Sequence, residues 1–145
     1  MLQVDHHENV SSMIDSDHSI CGLVVSTPTS THSSIIQCAA DASHLTAVFV
    51  EKPVDETADQ IRDTFNYCAN KLQLCCGYQR RFDPSYVAIT DAVQKGDLGK
   101  QIVYAHAFFA DHPVPPRDFL LQGGNIFMDL SAHDIDYIVH TLKTG

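Results

Sequence analysis

An α/β fold built on a partial, doubly wound parallel sheet, continuing into the start of a second α+β domain, is what this sequence predicts. Three observations carry it. Compact apolar runs at residues 20–26, 45–50 and 72–78 alternate with segments of helical period, the pattern of buried parallel strands joined by crossover helices. Each run ends in a short polar turn, "STPTSTH", "EKP" and "QRR", where a parallel sheet places its ligands. Beyond residue 79 the order changes to longer helices and one alternating stretch, so the boundary falls between a domain at 1–79 and another beginning at 80–145.

Taken in order, residues 1–19 mix acids, histidines and serines with little period and form a weakly patterned lead-in with room for a short helix. "ICGLVVS" is the first strand, and the helix after it turns Ile35, Ala39 and Ala42 inward. "LTAVFV" is the second. Asp55 caps the next helix, whose inner face is Ala58, Ile61, Phe65 and Cys68 or Ala69. "LQLCCGY" is the third strand, and adjacent Cys75 and Cys76 point to opposite faces. Then Asp83 caps a helix with Pro84 at its first position and Gly96 at its end. "KQIVYAHAFFA" alternates Ile102, Tyr104, His106 and Phe108 against Val103, Ala105, Ala107 and Phe109, a further strand at residues 100–110. A proline-rich loop leads to a final helix from residue 123 onward.

Composition limits what the chain can do. It has 145 residues, 44% of them hydrophobic, enough for a core. Its formal charge of -9, from 18 acids against 9 bases, repels nucleic acid and anionic membrane surfaces. No apolar run approaches the ~20 residues of a membrane span, and the start has no secretory pattern, so a cytoplasmic protein is expected. Five cysteines without a CxxC read as reduced thiols rather than a disulfide framework or a metal site.

The final helix raises the functional question. At about 100° per residue, Asp129, His133, Asp136 and His140 share a stripe roughly 60° wide. The stripe consists of groups that exchange protons or bind metals, while most of the rest is apolar. Periodicity alone leaves two readings open, a functional face and a short solvated one. Of the three polar turns, the first offers hydroxyls and helix N-terminal amides for phosphate, ribose or amide oxygens, or simple caps. In the second, Pro53 keeps Lys52 out of the following helix and permits a cis bond. In the third, Gln79, Arg80 and Arg81 place two guanidinium groups, one to meet an anion and one an acid of the fold.

"VVSTPTSTH", "FVEKPVDET", "GYQRRFDPSY" and "GGNIFMDLSAHDIDY", in this order and spacing, strongly resemble the Gfo/Idh/MocA oxidoreductases, and most closely their cyclitol dehydrogenases. The resemblance spans residues 12–145. It implies a Rossmann-type nucleotide-binding domain, NAD or NADP as cofactor, and hydride transfer between nicotinamide and a CH–OH group of a cyclitol or sugar. By this match Lys52, Asp129 and His133 are catalytic: the histidine takes the hydroxyl proton while the lysine hydrogen-bonds the same oxygen. Thr27, Pro28, His32, Glu51, Lys52, Gln79 and Arg80 line the cofactor site, and Asp134 is a structural hydrogen-bond partner. No metal is implied. A polyol or sugar substrate is expected, with neither nucleic acid nor membrane as partner, and homo-oligomers of the full-length form.

The sequence departs from the family pattern at both ends. The Gly-rich turn of the first βαβ unit is missing, and only the first strand of the large C-terminal sheet is present. Marginal stability, or association with a partner, follows. Two other classes stand beside the enzyme: a non-catalytic remnant acting through subunit association, and a metal-dependent hydrolase using Asp129, His133, Asp136 and His140.

Overall fold

Short apolar runs too brief to be core helices become strands when β-branched residues fill them and polar turns bound them. The computed structural model of the chain describes residues 4–108, 113–118, 127 and 130–142. They contain α1 (Val10–Ser16), β1 (Gly22–Val25), α2 (His32–Asp41), β2 (Ala47–Glu51), α3 (Ala58–Cys68), β3 (Gln73–Gly77), α4 (Pro84–Lys95) and α5 (Ser131–Thr141), with 3-10 turns at Thr29–Thr31 and Gln79–Phe82. The chain divides into two compact units, Met1–Gly77 and Tyr78–Gly145.

In the first unit the strands lie parallel in the order β1-β2-β3, with Val25 opposite Val50 and Val50 opposite Cys76. Two crossovers running the same way across a sheet leave their helices on the same face. The burial follows: Val25, Val48 and Val50 are at most 2% exposed and pack with Ile36 and Ala39 of α2 and Cys68 of α3, while Leu23, Leu74 and Cys76 close the margin. Each fully buried Val or Ile contributes about 1.5–3 kcal/mol. The opposite face presents Val24, 69% exposed, with Phe49 and Cys75. Cys75 and Cys76 thus face apart, and all five cysteines are free. Burial pushes the Cys68 thiol pKa up.

Two local expectations are corrected. The cap of α3 is Thr57, whose hydroxyl accepts from Gln60 N at 3.3 Å and donates to Gln60 Oε1 at 2.6 Å. Thr-x-x-Gln is a capping-box pattern; Asp55 instead is buried, 5% exposed, and accepts from Glu56 N at 2.8 Å. The inner face of α3 is Ile61, Thr64 and Cys68, with Ala58 and Phe65 outward. Thr64 is 2% exposed on that face, whereas Phe65 is 40% exposed.

In the second unit Asp83 Oδ1 accepts from Ser85 N at 2.9 Å, Pro84 starts α4, and Gly96 ends it at φ 76°. Asp97 N then reaches back to Ala92 O at 2.9 Å, a Schellman closure that requires the left-handed glycine. Helix α5 packs on α4 through Tyr137, whose hydroxyl donates to Tyr86 O at 3.0 Å while the two rings meet edge to face at 4.3 Å. Thr90 and Thr141 join hydroxyls at 3.1 Å. The strand expected at 100–110 does not form over residues 101–108, which belong to no ladder, and Val103, Tyr104 and Phe108 are exposed. A strand needs a partner edge, and no described residue supplies one. The start of the final helix falls outside the described residues up to 126, as do Met128 and Asp129.

Candidate functional site

Because the three strands are parallel and in register, the turns after β1 and β2 leave the sheet at its carboxyl edge. That edge carries Thr27, Pro28, Glu51 and Lys52 in the first unit. Thr27 and Pro28 are exposed, and Glu51 and Lys52 are half-buried. The first turn is tightly built: Thr31 N and Thr31 Oγ1 both donate to Pro28 O, at 2.9 and 2.7 Å, and the Thr27 and Thr31 hydroxyls lie 2.7 Å apart. The Lys52–Pro53 bond is cis.

His32, expected to line the cofactor, is placed behind this edge. It is 1% exposed, and its two ring nitrogens lie 2.9 Å from Pro53 O and 2.8 Å from Thr27 O. The imidazole therefore spends its polar atoms on the protein's own backbone.

In the second unit Gln79 opens the 3-10 turn and is exposed. Arg80 donates to Asp134 at 2.5 Å, with both side chains less than a fifth exposed. Arg81 makes a bidentate pair with Asp136, through Nε at 2.7 Å and through Nη2. Both guanidinium groups thus meet acids of the fold, and Asp134 is the hydrogen-bond partner of Arg80. The pairs fasten the turn to α5, which carries His133. The His133 ring is half-buried and meets Tyr78 edge-on, 6.1 Å between centroids. Asp136 and Arg81 were not foreseen as partners; consecutive arginines and acids two apart were the only signal. Asp129 lies outside the described residues. Among the described residues no group of three or more His, Cys, Asp or Glu is arranged to hold a metal ion, and no helix is long and apolar enough to cross a membrane.

The second unit also holds an apolar cavity of about 430 Å³ bounded by α4, α5 and residues 98–108, with Tyr86, Ile89, Phe108 and Tyr137 among its walls.

Residues 1–78 match the family model described as an oxidoreductase family with an NAD-binding Rossmann fold, Gfo/Idh/MocA. The chain belongs to that family. It is 34% identical over 124 residues to the inositol 2-dehydrogenase of Rhizobium meliloti, covering 85% of this chain and 37% of that protein. Against the scyllo-inositol 2-dehydrogenase (NAD(+)) of Bacillus subtilis it is 35% identical over 121 residues, 83% of this chain and 34% of the other. The crystal structure of myo-inositol 2-dehydrogenase from Lactobacillus plantarum superposes with a TM-score of 0.73 at 25% identity, over 93% of this chain and 41% of that one. This member of the family thus spans little more than a third of the length of the curated relatives it matches. Three parallel strands with flanking helices are the Rossmann-like part they share.

Proposed function

We propose that the chain carries the lysine and histidine of an NAD(P)-dependent dehydrogenase that oxidises a CH–OH group of a cyclitol or sugar, in the manner of the inositol 2-dehydrogenases. The observation that carries the reading is Lys52 held at the carboxyl end of β2 next to the Thr27 turn, in a chain whose relatives are named for inositol oxidation. The residues present suit the nicotinamide side of the cofactor. Thr27, Pro28, Glu51 and Lys52 stand at the sheet edge where such folds take their ligands, and Gln79 and Arg80 complete the proposed set. A nicotinamide bound there would supply the hydride acceptor for the carbinol carbon.

The chain's own groups do the rest. The ammonium of Lys52 donates a hydrogen bond to the substrate hydroxyl oxygen and stabilises the negative charge that grows on it. The His133 imidazole removes the hydroxyl proton as general base. Asp129, four residues before it in sequence, is assigned by the family resemblance to orient that ring. The ion pairs of Arg80 and Arg81 also secure α5 to the turn that follows β3.

The test is reduction of NAD+ or NADP+ by myo-inositol, scyllo-inositol and aldoses, followed by nicotinamide absorbance, with the full-length form of the protein. Turnover with a cyclitol and its loss in Lys52→Ala support the reading; no turnover with any polyol removes it. A second reading, a non-catalytic chain acting through subunit association, draws on the exposed apolar Val24 and Phe49 of the open sheet face and on Val103, Tyr104 and Phe108. Stable self-association in sedimentation, with no NADH binding at millimolar ligand, favours it.

A further inference from the structure

His32 was matched to the cofactor site, yet its geometry gives it a different task. It is the first residue of α2, and its side chain turns inward until 1% of it remains exposed. There one ring spans two turns that are 21 and 5 residues from it: Nδ1 lies 2.9 Å from Pro53 O and Nε2 2.8 Å from Thr27 O. Both partners are main-chain acceptors. Pro53 has no N–H with which to anchor its own turn, and the chain after it dives into the core, Val54 and Asp55 being 3% and 5% exposed. A carbonyl drawn inward in this way needs a donor from the protein. The rigid five-membered ring therefore sets the separation between the backbone beside Thr27 and the backbone beside Lys52.

We propose that His32 is a positioning residue for Lys52: through the carbonyls of Pro53 and Thr27 it fixes where the lysine leaves the carboxyl edge of the sheet. The proposal rests on the reading of Lys52 as the hydroxyl-facing cation. Hydrogen bonding, and not ring volume alone, carries the effect, because an apolar ring in the same space offers neither inward carbonyl an N–H.

The experiment uses the chain with its lysine amines carrying ¹³C-methyl groups, and NMR of those methyls. Lys52→Arg assigns the Lys52 signal; Lys71, held by Asp41, serves as the internal check on folding. His32→Ala is expected to move the Lys52 signal to the position of a solvated lysine with Lys71 unmoved. Millimolar imidazole, which refills the space and restores a ring N–H, returns it, whereas thiophene, a ring of similar size without an N–H, does not. An unmoved Lys52 signal overturns the proposal, as does equal recovery with thiophene. Where His32→Ala also disturbs Lys71, His32→Gln is used, whose amide serves one carbonyl: displacement of Lys52 alone supports the proposal and an unshifted signal defeats it. The catalytic reading is tested separately by Lys52→Ala. Normal hydride transfer in that variant, with Lys52 displaced by His32→Ala, leaves the positioning role standing and takes the lysine out of the chemistry.

Discussion

Replacing Asp134 by Asn removes a charge with almost no change of shape and leaves Arg80 facing an uncharged amide. The pair lies at 2.5 Å with side chains 19% and 18% exposed, between the two regimes in which such pairs have been measured. Exposed pairs contribute about 0–1 kcal/mol, and breaking a buried pair costs about 3–5 kcal/mol. A mostly covered pair falls between, at about 2 kcal/mol. With a urea slope near 2 kcal/mol per molar, the midpoint drops by about 1 M. The chain has no tryptophan, so near-ultraviolet circular dichroism of the packed Tyr86–Tyr137 pair reports the second unit. Arg80→Gln should destabilise comparably, and the double variant should fall short of the sum by roughly 1–2 kcal/mol. A midpoint unchanged by Asp134→Asn, or additive losses, would refute the claim that this pair fastens α5 to the turn after β3.

Acid should release a second clamp. Hydrogen bonds from Lys71 and then Tyr67 hold the Asp41 carboxyl pKa below its ordinary 3.8, so its contribution is present above 3.8 and disappears as pH falls through the lower folded value. Asp41, first, and Tyr67 raise Lys71 above 10.5, so the lysine's contribution is intact below 10.5 and is lost only at higher pH. Urea midpoints of Asp41→Asn and wild type should therefore differ at neutral pH and converge as pH falls from 3.8 through the lower folded value; a constant difference would be wrong for this linkage. Gly96→Ala forces a side chain into φ 76° and should cost about 1 kcal/mol, read as a lower thermal midpoint. No loss there would mean that the Schellman turn tolerates another geometry.

What could be read from the chain alone depended on how local the cause was. Asp83, Pro84 and Gly96 bound α4 through contacts within six residues, and all three were legible. The three parallel strands were legible because each is a compact apolar run ending in a polar turn, but which face is covered was not, since such a run is apolar on both sides. Thr57 was overlooked in favour of Asp55: both are good caps, and only the Thr-x-x-Gln spacing separates them. Residues 100–110 alternate as a strand should, but alternation describes one chain and a ladder needs two. The placement of Lys52 just beyond β2 was legible from its proline and the strand end. The Arg80–Asp134 and Arg81–Asp136 pairs were not, since their partners lie 54 and 55 residues apart. His32 was recognisable as a marked residue; that its nitrogens serve Thr27 and Pro53 depends on how two turns meet.

The proposed function gives Lys52 and His133 parts in the same reaction. Single-turnover hydride transfer from a cyclitol to NAD+, in the full-length form, tests it through Lys52→Ala, His133→Ala and the double variant. The account predicts a fall of about 10² or more in each single variant and little further loss in the double, as for groups that act as a unit. Rates near normal in either single variant, or losses that multiply fully in the double, would contradict it.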